Sequence, residues 1–312
     1  MDPQDATRRF EEGAFVLMMG VPLNFEVGID GVSWTVGPLF KGIKMIPPGL
    51  HFVYYQCGGN GALTGFFRFF KPKEILYFQW DIATEQLRPM GEPEFSIYEL
   101  DRFLGPFPWE RMEMQRFQDW TNLLNLQTLN RIVPGGTITP MATSYHSSHE
   151  TIDLHFTKIP TEREIRPTGL DRTPVIRTLS IRPMDLLAEL QLCFVLLVLG
   201  HNFEGFEQWR AIVALLCQCS ALIKEDPPLY MEFLNILQGQ LQECPDDFFE
   251  CTGIAGDNRL FQWFQALCQD CMDTAVLQAH ASAFSAFIMS KFGWDLTTDA
   301  DSGEYAPIIV DP

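Results

Sequence analysis

The sequence predicts an α+β protein of two domains, an N-terminal antiparallel β-sandwich or barrel-like domain followed by a C-terminal helical domain. Short aromatic and β-branched runs recur up to Trp80, at intervals of roughly 10–16 residues. Beyond Pro93 the apolar residues change to helical spacing. A chain of 312 residues with 46 % hydrophobic residues is long and apolar enough for about two packed domains, which excludes global disorder.

The predicted strands are short apolar runs, most of them bounded by Gly or Pro. They occupy residues 14–18, 33–36, 50–55, 65–70 and 75–80. Trp34 alternates with Ser33 and Thr35, so we expect its side chain to face the core. After Pro93, the spacing predicts one helix that ends at Gly105 and then a less regular helical stretch.

Charge divides the chain into segments. Residues 1–130, the predicted β-rich domain with trailing helices, carry 11 basic and 16 acidic residues. Residues 131–182 carry 7 basic and 5 acidic residues with many prolines, which is typical of a linker or crossing segment. Residues 183–312 carry 4 basic and 19 acidic residues. Within this last part we assign 183–296 to the helical domain and 297–312 to an acidic tail with a β-prone end.

The helical domain is predicted to begin at Pro183, since proline is favoured in the first turn of a helix. That helix is apolar nearly all round and runs to Gly200, so we expect it to be central and capped by the glycine. Further helices are predicted at about residues 206–216, 230–241, 260–272 and 274–292.

The overall charge argues against two kinds of partner. With a net charge of −18, the protein is expected to bind neither nucleic acid tightly nor anionic membranes. Acidic residues within the first twenty positions argue against a signal peptide. The longest apolar run, residues 192–200, is too short for a membrane span of roughly 20 residues. We therefore expect a soluble protein whose cysteines are reduced, in the cytosol or nucleus.

Metal and cofactor motifs are weak. Cys268 and Cys271 form a C-x-x-C pair, but no second pair accompanies it and the pair lies on a helical pattern. We interpret these cysteines, and also Cys217 and Cys219, as structural. A metal site is the less favoured alternative for one histidine-containing cluster, namely His146, His149, Glu150, Asp153 and His155. The prediction is no metal and no cofactor.

Catalytic signatures do not appear in the sequence. It contains no G-x-S-x-G elbow, no P-loop and no G-x-G-x-x-G fingerprint. Residues 58–61, Gly-Gly-Asn-Gly, are better interpreted as a hairpin tip. No residue is therefore assigned a catalytic role.

One long run has a specific pattern. Residues 28–52 read GIDGVSWTVGPLFKGIKMIPPGLHF, and this run resembles the motif of the Aar-two family of splicing factors. Further matches lie at 99–108, 189–195, 203–209, 245–249, 291–295 and 306–310, so the resemblance covers nearly the whole chain. The motif positions that we assign to structure are Trp34, Gly37, Pro38, Pro47, Pro48, Gly49, His51, Asp101, Trp209 and Trp294.

The resemblance implies a fold and a function. Family members have a β-rich domain, a linker and a helical domain like a VHS domain, and they are not enzymes. They bind the large scaffold protein of the U5 snRNP at its RNase H-like and Jab1/MPN-like domains. They hold a cytoplasmic U5 snRNP precursor and keep the large U5 RNA helicase off until nuclear maturation, and phosphorylation is proposed as the release signal. The resemblance thus implies cytoplasmic and nuclear localisation.

The C-terminal end is the predicted partner-binding segment. It is short, apolar and rich in β-branched residues, and it consists of Ala306, Pro307, Ile308, Ile309 and Val310. Such a segment can add itself as a strand to the sheet edge of a partner, and the family tail is thought to bridge the scaffold's two domains in this way. A frayed terminus or a tail packed on its own protein is the alternative. Ser302, beside Asp301, is the candidate for regulatory phosphorylation.

Two other functions remain as alternatives. A VHS-like adaptor would bind acidic peptides in a basic groove, and the 4 basic residues in 183–312 argue against it. A hydrolase-like enzyme would use a pocket in the β domain.

Overall fold

The structure is a computed structural model that describes residues 2–57, 63–93, 96–109, 112–135, 137–138, 154–160, 171–246 and 259–297. The chain divides into two compact units. The first is drawn from Met1–His155 and Val195–Gly205, and the second from Phe156–Phe194 and Phe206–Pro312. No described helix combines the length and the apolar character needed to cross a membrane. The domain boundaries inferred from charge stay predictions.

The first unit combines strands with four helices among its described residues. The strands are β1 (Ala14–Met19), β2 (Phe25–Ile29), β3 (Val32–Thr35), β4 (Gly42–Ile46), β5 (Gly49–Cys57), β6 (Leu63–Phe70), β7 (Ile75–Asp81), β8 (Gln86–Pro89), β9 (Leu104–Pro106) and β10 (Thr137–Ile138). The helices are α1 (Pro3–Glu12), α2 (Ile97–Leu100), α3 (Met112–Thr121) and α4 (Leu126–Ile132).

These strands form two five-stranded sheets, in the orders β8-β7-β1-β4-β9 and β10-β6-β5-β2-β3. The second sheet is antiparallel, as predicted. The first is mixed, because β1 pairs parallel with β7 and β4 pairs parallel with β9. The expectation of a purely antiparallel domain is therefore wrong. Parallel neighbours need a long crossover connection. Here the crossover is the chain between β1 and β7, which contains most of the strands of the other sheet.

The described strands do not close into a barrel, since β8 and β9 end one sheet and β10 and β3 end the other. The core instead lies between the two sheets, where Val16 and Met18 of β1 pack in one cluster with Val27 of β2 and Val53 of β5. Trp34 packs against this cluster but is only half-buried, because its strand β3 is an edge strand.

The segment after Pro93 differs from the sequence prediction. The helix ends early, at Leu100, and is followed by a 3₁₀ turn, Asp101–Phe103. Leu104 then begins β9 and pairs with Gly42 of β4. The helical apolar spacing is overridden here by strand pairing with a distant part of the chain.

The second unit is helical, and the described helices that lie wholly or mainly in it are α5 (Thr173–Thr178), α6 (Pro183–Val198), α7 (Phe203–Leu216), α8 (Ser220–Glu225), α9 (Pro227–Glu243), α10 (Arg259–Met272) and α11 (Gln278–Phe292). The end of α6 and the start of α7 fall within Val195–Gly205 of the first unit. Helix α6 is buried from Leu186 to Leu196, which confirms its central position. After the C-terminal end of α6, the Gly200 N–H donates to the Val195 carbonyl at 3.2 Å. The likeness to a VHS domain stays a prediction.

Gly42 generates the first testable prediction. Its φ is +140°, and a Cβ there would lie 2.0 Å from the Val16 carbonyl oxygen. We expect Gly42→Ala to lower the free energy of unfolding by at least about 2 kcal/mol, because a backbone clash is added to backbone strain. Urea unfolding followed by tryptophan fluorescence measures this.

The matched control is Gly37→Ala, since a Cβ at Gly37 would meet no atom within 4 Å. We expect its unfolding midpoint to stay close to that of the parent protein. Equal midpoints for both variants would contradict the close approach of β4 to β1.

Candidate functional site

The long motif at residues 28–52 folds into β2–β5, and two of its polar residues, Asp30 and His51, are buried. Asp30 and His51 are each 3 % exposed. One carboxylate oxygen of Asp30, Oδ2, lies 2.5 Å from His51 Nδ1, and the other, Oδ1, accepts the Phe52 N–H at 2.9 Å. His51 Nε2 lies 2.9 Å from the Pro47 carbonyl oxygen. Since a carbonyl only accepts, Nε2 carries a hydrogen. Both ring nitrogens of His51 therefore have a hydrogen-bond partner within the protein.

Aromatic rings enclose the same imidazole. The His51 ring centroid lies 5.3 Å from that of Phe107 and 5.8 Å from that of Phe70. The Phe117 ring is stacked parallel to it at 6.5 Å. A histidine that is buried in this way, with both nitrogens occupied by its own protein, is positioned to hold the turn at Pro47 in place and not to act on a substrate.

Two further contacts fasten β4 to distant segments. Lys44 Nζ lies 2.5 Å from Asp101 Oδ1 and donates to the Asp101 carbonyl at 3.0 Å. Trp109 Nε1 donates to the Met45 carbonyl at 2.9 Å. Met45 has a φ of +62°, and Gly13 permits the close approach there, because a Cβ on Gly13 would lie 2.8 Å from Met45 Cα. Asp101 is thus an anchor for the 3₁₀ turn that leads into β9.

The remaining motif positions of the first unit lie in turns or at the edge. Pro47 and Pro48 join β4 to β5, and Gly49 begins β5 with a φ of +133°. Gly37 and Pro38 follow the edge strand β3. These residues lie where the chain changes direction or at the edge of a sheet, and their structural role stays a prediction.

In the helical unit, Trp209 is 1 % exposed and its Nε1 donates to Gln240 Oε1 at 2.8 Å. Trp294 is half-buried, with its ring centroid 6.0 Å from that of Phe261 and 5.8 Å from that of Phe292. Leu296, two residues later, is 2 % exposed. These contacts fix the point after which the chain continues toward residues 298–312. The predicted binding segment, Ala306–Val310, and Ser302 lie outside the described residues.

The cysteine pairs are buried, as the structural interpretation predicted. Burial raises the pKa of Cys219, Cys268 and Cys271 to about 12, so these thiols are neutral at physiological pH. Among the described residues, no three His, Cys, Asp or Glu side chains lie close enough together to hold a metal ion.

The histidine-containing cluster is described only at His155. That residue is exposed, and its N–H donates to the Ile132 carbonyl at 2.9 Å. The other members, His146, His149, Glu150 and Asp153, lie outside the described residues. The predicted hairpin tip at 58–61 lies outside them as well.

A cavity of about 480 Å³ is lined mainly by residues of β6 and β7. Its lining is mostly apolar, with Phe66, Phe78 and Leu87 among the contributors. The Tyr55 hydroxyl accepts the Leu87 N–H at 3.2 Å, and Arg68 is paired with Glu74. The described lining residues include no His, Cys, Asp or Glu, and the ionisable side chains among them are Tyr55, Tyr77 and Arg68.

The sequence interpretation missed the partners of these polar groups. It named His51 without Asp30, and it did not single out Glu189, which is fully buried inside the apolar helix α6. The available signal was a lone carboxylate within an apolar run, because a buried charge requires donors from elsewhere in the fold.

Asp30 generates the second prediction. Asp30→Asn keeps the shape and tolerates the φ of +53°, but it removes the charge and one acceptor from a buried pair. We expect a loss of about 3 kcal/mol in the free energy of unfolding. Urea unfolding measures it, with the exposed Asp295→Asn as control, whose midpoint is expected to change little. A midpoint for Asp30→Asn equal to that of the control would show that the buried pair contributes nothing.

Comparison with known proteins covers both units. Residues 12–134 match the family model of the AAR2 N-terminal domain, and residues 151–297 match that of the AAR2 C-terminal repeat region. A protein AAR2 homolog from Macaca fascicularis is 30 % identical over 377 residues, covering 100 % of this chain and 97 % of its own length. Another from Caenorhabditis elegans is 31 % identical over 361 residues, covering 96 % of this chain and 99 % of its own.

The human protein AAR2 homolog is 29 % identical over 377 residues, with 100 % of this chain and 97 % of its own length covered. Because the alignment is longer than this chain, the relatives contain segments that the chain lacks. The matches run through both units in order and reach nearly the full length of each relative. The chain therefore belongs to the AAR2 family, the splicing-related family that its motifs resemble.

Proposed function

We propose that the protein is a non-catalytic assembly chaperone of the U5 snRNP. In this role it binds the large U5 scaffold protein at its RNase H-like and Jab1/MPN-like domains and keeps the U5 helicase off a precursor particle. The observation that carries the proposal is the full-length relationship to the AAR2 homologs, which includes both units and not one shared domain.

The arrangement of polar residues supports a non-catalytic role. Asp30 and His51 resemble a catalytic dyad in type, but both are buried and bonded within the fold. The cavity between the sheets has a mostly apolar lining, with no His, Cys, Asp or Glu among its described residues. What the protein offers to a partner is therefore its surface and its C-terminal end.

The charge of the second half supports a basic partner. Residues 183–312 carry 19 acidic residues against 4 basic ones. Among the basic residues, Arg210 lies 3.5 Å from Glu207, and Lys291 lies 3.3 Å from Asp246. An acidic surplus attracts basic protein surfaces and repels phosphate backbones, so we expect salt-sensitive protein binding without tight RNA binding.

The last described residues support the proposed use of the tail as a clamp. Trp294 and Leu296 hold the chain against the helical unit immediately before residues 298–312. A tethered segment binds a second domain at the effective concentration that its linker sets. In the proposed function, Ile308 and Val310 project to one side of an added strand and Ile309 to the other.

Affinity purification with mass spectrometry tests the proposed function. We expect the tagged full chain to recover the large U5 scaffold protein and other U5 proteins from cytoplasmic and nuclear fractions, without the helicase in the cytoplasmic fraction. Recovery of metabolic enzymes or coat proteins alone would contradict the proposal and favour an enzyme or a trafficking adaptor.

The tail generates a further prediction. We expect deletion of residues 303–312 to weaken simultaneous engagement of the RNase H-like and Jab1/MPN-like domains by at least tenfold, about 1.4 kcal/mol, while the protein stays folded. The physical reason is the loss of the backbone hydrogen bonds of an added strand. Binding to each isolated domain and to both together is measured by calorimetry.

The control replaces Asp299 and Asp301 by Asn, which keeps the length and the apolar end. We expect this variant to retain simultaneous engagement at low salt better than the deletion does. Undiminished binding of both domains by the truncated protein would rule out the clamp.

A further inference from the structure

An extended segment, Leu154–Pro160, precedes the helices of the second unit, and we call it the strap. From Phe156 onward it belongs to the helical unit. Thr157, at its centre, meets one side chain from α6 and one from α7. Its N–H donates to Glu189 Oε1 at 2.8 Å and its hydroxyl donates to Glu189 Oε2 at 2.7 Å. Its carbonyl accepts from Gln208 Nε2 at 2.9 Å.

The two side chains that hold Thr157 also hold each other. Gln208 Nε2 donates to Glu189 Oε1 at 2.8 Å, which fixes the orientation of both groups. Glu189 and Gln208 therefore bind every polar group of one residue in an extended chain, namely its amide, its carbonyl and its hydroxyl. This is how a binding site recognises a peptide main chain together with one side chain.

The burial of Glu189 shows why the site needs an occupant. Glu189 is fully buried, between Ala188 and Leu190 in an apolar helix. A buried carboxylate costs several kcal/mol unless hydrogen-bond donors compensate it. The Thr157 amide and hydroxyl are among the donors that compensate it, together with the Gln208 amide.

The rest of the strap supplies the other features of a bound peptide. Phe156 and Ile159 are half-buried, whereas the side chain of Lys158 between them is exposed. At the end of the strap, the Pro160 carbonyl accepts from the Arg172 guanidinium at 2.6 Å. The strap thus exposes His155 and Lys158, partly buries its other residues, and has polar contacts at its centre and its end.

We infer that Glu189 and Gln208 form a peptide-recognition site for an extended segment with a central Thr or Ser, and that the strap is its ligand in cis. The hydroxyl requirement follows from Glu189 Oε2, since a Val in the ligand would leave that oxygen without the Thr157 donor. The inference concerns the helical unit and goes beyond the proposed function, because it does not depend on which U5 protein is bound. While the strap is seated, the site is closed to segments from other chains.

The experiment opens the site in the full-length chain and adds the ligand back. Thr157→Asp places a carboxylate against Glu189 and should expel the strap by like-charge repulsion. A fluorescently labelled peptide of sequence LHFTKIP then serves as the probe, with binding followed by anisotropy. We expect it to bind Thr157→Asp at least tenfold more tightly than the parent protein, and at least tenfold more weakly once Glu189→Gln is added to Thr157→Asp.

Two controls give the experiment its specificity. Lys158→Gln makes the same change in net charge one residue away but keeps the contacts of Thr157, so it should bind the peptide no better than the parent protein. The peptide LHFVKIP should bind Thr157→Asp at least tenfold more weakly than LHFTKIP. Equal binding of the two peptides, or equal binding by Thr157→Asp and Lys158→Gln, would overturn the inference.

A second measurement covers the case in which Thr157→Asp does not fold. Hydrogen exchange of the parent protein should show a protected Thr157 amide, and Glu189→Gln should lower that protection at least tenfold while the amides of α9 stay unchanged. A Thr157 amide that exchanges freely in the parent protein would overturn the inference.

Discussion

The first unit depends on one buried contact, the hydrogen bond between Asp30 and His51. It joins the turn between β2 and β3 to strand β5, and through His51 Nε2 it reaches the turn at Pro47. The same carboxylate accepts the Phe52 N–H, so both oxygens of Asp30 are used. Removing either partner would leave a buried polar group unsatisfied, so the contact stabilises the fold only when both residues are present.

The sequence was sufficient for the elements that carry their own signal. Strands β1, β5, β6 and β7 were predicted because each is a run of apolar or aromatic residues next to turn residues, and α6 because it is apolar nearly all round and begins at Pro183. Strands β2 and β4 were missed, since Glu26 and Lys44 interrupt short runs that contain glycine. The parallel pairing of β1 with β7 carries no local signal at all, because it depends on where the intervening chain goes.

In the candidate site, as in the fold, only features with a local sequence signal could be predicted. Motif positions such as His51 and Asp101 could be named from the sequence, but their partners, Asp30 and Lys44, were set by the fold. The helical unit repeats this pattern with Gln240, which is 1 % exposed and accepts from Trp209. In both units a few buried polar side chains fix the relative position of segments that apolar packing alone would leave free to slide.

The bonding of polar side chains within the fold affects how the protein can bind a partner. The polar groups with fixed geometry, among them Asp30, His51 and Gln240, are bonded to the protein itself. The acidic surplus of the second half is spread over the chain and acts at long range, so it raises the rate of encounter with a basic partner more than it lengthens the life of the complex. Residence time must then come from short-range contacts such as strand addition, which bury apolar side chains and pair backbone groups. In the proposed function, charge and tail therefore have separate tasks: the charge of residues 183–312 governs association, and the apolar end at 306–310 governs dissociation.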